Sequence, residues 1–283
     1  MSKKPPAYSV LPTTGVAPPV TSSSTAPNVV SWWVPTASAA VERPLSSTPD
    51  LEPDLVIAID FGTTFTGVAY IHAAHYKDTE LTPKQIAQRI EVVKRWPKAD
   101  QQKIPTKLAY DDTGQAVQWG SGVTGTQKTT ISCFKLGLQS GLEAHYKRNF
   151  GGSTGFLTDS NWKSPNLPNK APVDFAADYL SFITEYVTMK YFPQTFGGNA
   201  FLADQNIAYV VTVPACWSQK AKDLTRQAAV RANIPQSSLL FIIEPEAAAL
   251  YCATMSQDVG LRKGEYFTVC DAGGGTVVCR IGS

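Results

Sequence analysis

The sequence feature that most constrains the fold is a short pattern that occurs twice. In each copy an apolar, β-prone run ends in an acid, a turn with glycine and threonine follows, and a second strand-like run completes the pattern. The first copy is IAIDFGTTFTGVAY around Asp60, and the second is TVCDAGGGTVVC around Asp271, at the end of the sequence. The pattern predicts two β-hairpins, each with an acid and small polar residues at its bend.

A bend of this kind is suited to binding phosphate. Glycine lets backbone N–H groups approach an anion without a side chain in the way, threonine hydroxyls add donors, and an acid at a strand end can hold Mg²⁺ through water. Two such hairpins can hold the phosphates of one nucleotide from opposite sides, with both acids facing a shared metal. An ordinary hairpin turn and a loose glycine turn are the alternatives. The candidate residues are Asp60, Gly62, Thr63, Thr64, Asp271, Gly273, Gly274, Gly275 and Thr276.

A third candidate acid, Glu244, ends the apolar run LLFIIE and directly precedes Pro245. Proline is tolerated in the first turn of a helix, so a helix is expected to begin here. A carboxylate at the junction of strand and helix can orient an attacking water. The alternative is an acid that only marks the start of the helix, and this is the interpretation of the neighbouring Glu246, which suits the helix dipole.

The order of the predicted elements indicates the fold class. Residues 1–54 are rich in Pro, Ser, Thr and Ala without periodicity, which predicts a disordered tail. From Leu55 onward hairpins come first and strands then alternate with helices, which predicts a layered α/β domain with a mixed sheet. One helix is expected to follow Pro172 and to close at Pro193, and another to begin after an N-cap at Ser218. The segment 131–139 is expected to form a short helix.

Composition narrows the classes of function. Apolar residues make up 43% of the 283 residues, charged residues make up 17%, and the formal net charge is +2. This near-neutral balance gives no electrostatic case for nucleic acid or a membrane surface as the main partner. The sequence has neither a signal-peptide core nor an apolar run of membrane-spanning length, so the expected location is the cytoplasm or nucleus. The five cysteines lack C-x-x-C spacing and are expected to be buried free thiols.

These segments, in this order, resemble the heat-shock protein 70 family of the actin-like ATPase superfamily. IAIDFGTTFTGVAY and VCDAGGGT resemble its two phosphate motifs, VVTVPACWSQKAKDLTRQAAVRANI its strand–proline–helix segment, and IIEPEAAALYC its first connecting motif. EPEAAALYC and RWPKADQQKIPTKLAY look more like the divergent branch called member 12 than like the stress chaperones. The resemblance covers about residues 55–283.

The resemblance implies a ribonuclease-H-like (actin-like ATPase) fold. Residues 55–263 would form lobe I, a mixed β-sheet flanked by helices, and residues 264–283 would form the first hairpin of lobe II. In the family, lobe II goes on to supply the adenosine pocket, so the sequence is expected to be a fragment or a truncated form. The acid that usually follows the second motif's threonine by two positions is replaced here by Val278.

The resemblance also implies a ligand and a role for each residue. ATP or ADP would bind with Mg²⁺; Asp60 and Asp271 would face the hydrated ion, and the glycines and threonines of both bends would contact phosphates. Glu244 would match the carboxylate near the attacking water, and Pro214 the proline that relays the nucleotide state. Lys135 would match the catalytic, phosphate-stabilising lysine, with a solvated helix lysine as the alternative.

The function implied is that of an ATP-dependent chaperone or ATPase domain with protein clients or co-chaperones. Two other functions stay open at this point. The first is a non-catalytic scaffold or interaction protein built on a degenerate ATPase lobe. The second is a sugar or acetate kinase, which shares the two phosphate hairpins.

Overall fold

The computed structural model describes residues 52–127, 129–140, 166–198, 200–203, 205–255 and 266–273, and the backbone of residues 277–282. The predicted disordered tail therefore lies almost entirely outside the described residues, and so do Gly274, Gly275 and Thr276. The predicted lobe boundary after residue 263 falls in an undescribed segment and stays a prediction.

The predicted mixed sheet is present and is the centre of the fold. Its strands are arranged in the order β11–β10–β1–β2–β3, and β6 also pairs with β2. β1, β10 and β11 run parallel, whereas β2 is antiparallel to β1, β3 and β6. The strands of this sheet are β1 (Leu55–Phe61), β2 (Phe65–His72), β3 (Glu91–Val92), β6 (Lys103–Pro105), β10 (Ile207–Val213) and β11 (Leu239–Ile243).

Smaller sheets accompany the central one. β7 lies between β8 and β9, β4 pairs with β5, and β12 pairs with β13 as the second predicted hairpin. The segment 89–96 contributes the two short strands β3 and β4. The remaining strands are β4 (Arg95–Trp96), β5 (Ala99–Asp100), β7 (Lys107–Tyr110), β8 (Ala116–Trp119), β9 (Thr129–Ser132), β12 (Phe267–Ala272) and β13 (Val277–Gly282).

Two of the long helices follow the parallel strands β10 and β11, whereas the long helix that begins at Pro172 precedes β10. Ser218 caps the helix after β10 as predicted, because its hydroxyl accepts a hydrogen bond from the Ala221 N–H. This helix packs against the helix that begins at Pro172, and the helix after β11 contacts both β11 and the β12–β13 hairpin. The helices are α1 (Ala73–Tyr76), α2 (Pro83–Gln88), α3 (Pro172–Tyr186), α4 (Phe192–Phe196), α5 (Ala200–Ala203), α6 (Gln219–Arg231) and α7 (Glu244–Met255).

The predicted end of α3 at Pro193 is wrong. The helix passes into a π-helical turn over Val187–Tyr191 and continues as α4, which ends at Phe196 before Gly197 in the left-handed conformation. A wider turn of this kind changes which carbonyl each N–H meets, so a proline that lacks the N–H can lie two residues beyond it. The helical stretch therefore includes Pro193 in the first turn of α4.

One hydrophobic core holds these layers together. Leu55, Ile57, Ile59 and Phe61 alternate along β1 as its fully buried positions, and they pack with α3, α6 and the segment around Phe134. Phe134 lies in a 3₁₀ turn over Phe134–Leu138, where a short helix is expected, and Ile131 belongs to β9. This packing fixes the end of β1 relative to the 3₁₀ turn, so it also positions the residues of the site.

Two expectations from composition can be compared with the structure. Cys133 and Cys252 are buried and outside any disulfide, as expected, but Cys216 and Cys270 are exposed, which contradicts the prediction for these two. Cys216 lies in the turn that follows Pro214. Cys270 lies on β12, where half-buried and exposed residues alternate, at one of the exposed positions. In the part of the chain that is described, no helix is long and apolar enough to cross a membrane.

Candidate functional site

The first hairpin has the predicted form, with Gly62 at a position that admits no side chain. β1 and β2 pair up to Phe61 and Thr66, which leaves four residues, 62–65, at the bend. A Cβ added to Gly62 would lie 2.1 Å from the carbonyl oxygen of Phe65, closer than real Cβ atoms come. Glycine at this position is therefore a requirement of the bend itself.

A buried threonine from the neighbouring segment braces this bend. The Thr106 hydroxyl donates to the Gly62 carbonyl at 2.8 Å and lies 2.9 Å from the Thr66 hydroxyl, while the Thr106 N–H donates to the Thr64 carbonyl at 2.8 Å. Thr66 and Thr106 are fully buried. Because these bonds use the carbonyls of the bend, the conformation of the hairpin tip is held by the chain itself. Thr63 is buried and Thr64 is half-buried.

Asp60 lies at the end of β1, and both its carboxylate oxygens have protein partners. Lys103 Nζ lies 2.6 Å from Oδ2, and the Thr212 hydroxyl donates to Oδ1 at 3.0 Å. Neither partner was among the residues singled out in the sequence. Thr212 belongs to β10, which pairs with β1 through non-local contacts, and Lys103 belongs to β6 on the other side of β2.

Lys135 and Glu244 form a buried ion pair near Phe61, the last residue of the same strand. Lys135 Nζ lies 2.6 Å from Glu244 Oε1, and the side chains are 2% and 13% exposed. The ammonium group also lies 5.5 Å from the ring centroid of Phe61 and 5.4 Å from that of Trp217. Lys135 is therefore buried, which contradicts the alternative of a solvated lysine, and Glu244, the first residue of α7, accepts from its ammonium group.

Electrostatics link these groups to the second hairpin. Burial, and after it the negative charge of Asp60, raise the pKa of Asp271, while Lys103 and Lys135 act in the opposite direction. Burial also raises the pKa of Glu244 against the attraction of Lys135, and Asp60 and Asp271 add to the rise. The structure therefore brings Asp60, Asp271 and Glu244 together with both lysines at one end of the sheet.

The predicted site residues can now be compared with the structure. The first bend, the three acids and Lys135 come together. Gly273 is exposed just after β12, while Gly274, Gly275 and Thr276 lie outside the described residues. Pro214 directly follows β10 and is buried.

The chemistry of this donor set fits a phosphate ligand with a hydrated divalent cation. A narrow bend without a Cβ leaves backbone close to solvent, and two mutually repelling carboxylates favour a cation between them. Mg²⁺ commonly keeps several waters and uses one or two carboxylates together with phosphate oxygens. Within the described ranges, no group of three or more His, Cys, Asp and Glu residues is placed to hold a metal ion.

The raised pKa of Asp271 predicts how stability depends on pH. The native chain holds this proton to a higher pH than the unfolded chain, so the contribution of Asp271 to the free energy of unfolding falls as pH rises from 3.8 through the native pKa. Asp60→Asn removes a repulsion and should make this fall shallower. Chemical denaturation at a series of pH values between about 3.5 and 6.5 measures the slope. Asp223→Asn on α6 is the control, and equal slopes for Asp60→Asn and the parent chain would contradict the prediction.

Comparison with known proteins confirms the resemblance that the motifs indicate. The chain is 29% identical over 226 residues to heat shock 70 kDa protein 12A of Homo sapiens, and likewise to that of Mus musculus. It is 26% identical over 210 residues to heat shock 70 kDa protein 12B of Homo sapiens. Each alignment covers 70% of this chain, and the chain spans 28% of the length of these curated relatives. No family model matches the sequence.

The fold and the comparisons agree. The mixed sheet with flanking helices is the architecture expected of an actin-like ATPase lobe, and the relatives carry the heat-shock 70 name. The chain is thus a protein of heat-shock-70-like ATPase fold that resembles the divergent member-12 branch.

Proposed function

We propose that the chain binds the phosphates of a Mg²⁺-nucleotide, ATP or ADP, between its two hairpins. The observation that carries the proposal is the convergence of Asp60, Asp271, Glu244 and Lys135 at the end of β1, beside a bend in which Gly62 admits no side chain. These residues come from four separate segments. Their side chains are of the types that a phosphate ester and its metal require.

Each group has a role in this proposal. Backbone N–H groups and hydroxyls of the first bend bind phosphate oxygens, and Asp60 and Asp271 hold the metal through water. When bound, the metal neutralises phosphate charge. Lys135 adds a fixed positive charge whose position is determined by Glu244 and by the rings of Phe61 and Trp217.

Glu244 is the residue suited to orient a water for hydrolysis. Only one of its oxygens is engaged by Lys135 at 2.6 Å, so its carboxylate has further lone pairs for another donor. The full proposal is a heat-shock-70-like ATPase whose nucleotide state controls binding of protein clients or co-chaperones. This full activity is proposed for a protein of the relatives' length, of which this chain spans 28%.

Calorimetric titration of the 283-residue chain with Mg-ATP and Mg-ADP tests the binding step. We expect measurable affinity, reduced about tenfold or more in Asp60→Asn because a charged ligand of the metal is lost. Thr64→Val should weaken binding through loss of a hydroxyl donor. Asp223→Asn makes the same chemical change on the exposed surface of α6 and should leave the affinity unchanged.

Two outcomes separate the proposal from its alternatives. If the parent chain binds neither nucleotide, or Asp60→Asn binds as well as the parent, the phosphate site is refuted. Binding without phosphate release above background supports the non-catalytic scaffold, whereas sugar-dependent consumption of ATP supports the kinase.

A further inference from the structure

Lys103 reaches Asp60 along a row of residues that crosses three strands. Lys103 on β6 is the register partner of Gly67 on β2, and Gly67 is the register partner of Asp60 on β1. A Cβ added to Gly67 would lie 3.2 Å from Lys103 Cγ, a tight contact. The absence of a side chain at Gly67 therefore leaves room for the lysine stem to cross β2 and place its ammonium group against the carboxylate.

The two lysines of the site differ in their surroundings. Lys135 is 2% exposed and is held between Glu244 and two aromatic rings. Lys103 is 46% exposed, and its partner Asp60 is 40% exposed. An ion pair this open to water is worth little net free energy, so a competing cation can displace it. Of the two ion pairs, Lys103–Asp60 is thus the one that a competing cation can displace.

Lys103 interacts electrostatically with Asp60 and Asp271, the two carboxylates that would hold the metal under the proposed function. It is 2.6 Å from Asp60 Oδ2, and its charge also favours the ionised form of Asp271. A metal that approaches Asp60 therefore meets a carboxylate whose charge is already neutralised by the protein. A lysine ammonium has three donors on a flexible stem, so it can turn from a carboxylate to a phosphate oxygen.

We propose that Lys103 is a built-in cation of the phosphate site: it competes with the divalent metal for Asp60 and lowers the dependence of nucleotide binding on Mg²⁺. The nucleotide part of this inference rests on the proposed function, whereas the competition for Asp60 does not. Lys103 is thus a positioning residue that determines how strongly nucleotide binding depends on Mg²⁺.

Titration of the 283-residue chain with Mn²⁺ alone, followed by electron paramagnetic resonance, tests the competition. Lys103→Met removes the ammonium group and keeps the stem, so it should raise Mn²⁺ affinity about fivefold, the equivalent of one exposed ion pair. Lys103→Gln should do the same, and Lys103→Arg should retain the parent affinity. Lys107→Met removes an exposed lysine from the adjoining strand β7 and is the matched control. Equal Mn²⁺ affinity in the parent chain and in both neutral variants would overturn the inference.

The nucleotide arm compares ADP affinity in excess Mg²⁺ with that in EDTA. We expect the ratio of the two affinities to be about tenfold larger in Lys103→Met than in the parent, since metal-free phosphate then faces two unneutralised carboxylates. An unchanged ratio in a protein that binds ADP would also overturn the inference. If the parent chain binds no nucleotide under either condition, the proposed function fails, and the Mn²⁺ titration still decides whether Lys103 competes for Asp60.

Discussion

Replacing Glu244 with leucine should lower the free energy of unfolding by about 3–5 kcal/mol, the range found when one member of a buried ion pair is removed. Lys135 is 2% exposed and lies 2.6 Å from Glu244, so the substitution leaves an ammonium group buried without its carboxylate. Lys135→Met should be similarly costly, because Glu244 then keeps a charge in a buried position. Urea denaturation at neutral pH measures both losses.

The double variant, Lys135→Met with Glu244→Leu, separates the value of the pair from the cost of breaking it. Two apolar side chains of similar size remove both charges together, so the double variant should recover most of the stability that either single variant loses. Arg231→Ala is the control for an ordinary ion pair. Arg231 pairs with Asp174 at 2.7 Å but is 50% exposed, so its loss should cost about 1 kcal/mol or less. If Glu244→Leu costs no more than Arg231→Ala, the pair is not buried in solution as described.

The single and double variants of Lys135 and Glu244 also test the proposed function. If apolar residues can replace this buried pair at little cost in stability, the pair is not needed for stability, and positioning a charge for phosphate is the role proposed for it here. Under the proposed function, the double variant should fold well and lose nucleotide affinity. These two properties are measured on one protein, so a folding defect cannot be mistaken for a binding defect.

Local pattern was sufficient to predict the elements that carry the site. The pattern of an apolar strand, an acid and a glycine turn predicted the hairpin at Asp60. The apolar run before Glu244 predicted a strand followed by a helix. The structure contains both. Ser218 acts as the predicted N-cap because capping depends on a side chain and a backbone group three residues apart. Signals of this range lie within one window of sequence.

What could not be predicted depends on contacts between distant segments. Lys103 follows two glutamines in a polar stretch, and only the pairing of β6 with β2 brings it to Asp60. Thr106 reads as a single polar residue between two short strands, although its hydroxyl braces the first bend. A lysine and a threonine flanking an Ile-Pro pair are a weak signal, but a glycine inside β2, at Gly67, is a hint that another chain segment approaches closely there.

The Pro193 error has a different origin. The expectation applied a local rule, that proline ends a helix, and the π-helical turn of Val187–Tyr191 relieves the conflict. That turn lies against the core through Val187 and Tyr191, both buried, so tertiary packing outweighs the local preference.

Gly62→Ala should be the most damaging of the single-methyl changes at the site. The added Cβ would lie 2.1 Å from the Phe65 carbonyl oxygen, and this neighbour is backbone, which cannot rotate away as a flexible side chain can. Relief requires the bend to open, which strains the Thr106 bonds to the Gly62 and Thr64 carbonyls. We expect a loss near the upper end of the ~1–3 kcal/mol typical of overpacking. Thermal and urea unfolding of the variant measure it.

Gly125→Ala is the matched control, because it adds the same methyl group where no heavy atom lies within 4 Å of the new Cβ. Its free energy of unfolding should be unchanged or slightly raised, since alanine restricts the unfolded chain more than glycine does. If the two variants are equally stable, the bend at Gly62 is wider than described, and the close approach of backbone to phosphate loses its support. If only Gly62→Ala is destabilised, and its remaining folded fraction also binds Mg-ADP more weakly, one geometric feature accounts for both effects: glycine is needed to close the hairpin and to expose its backbone.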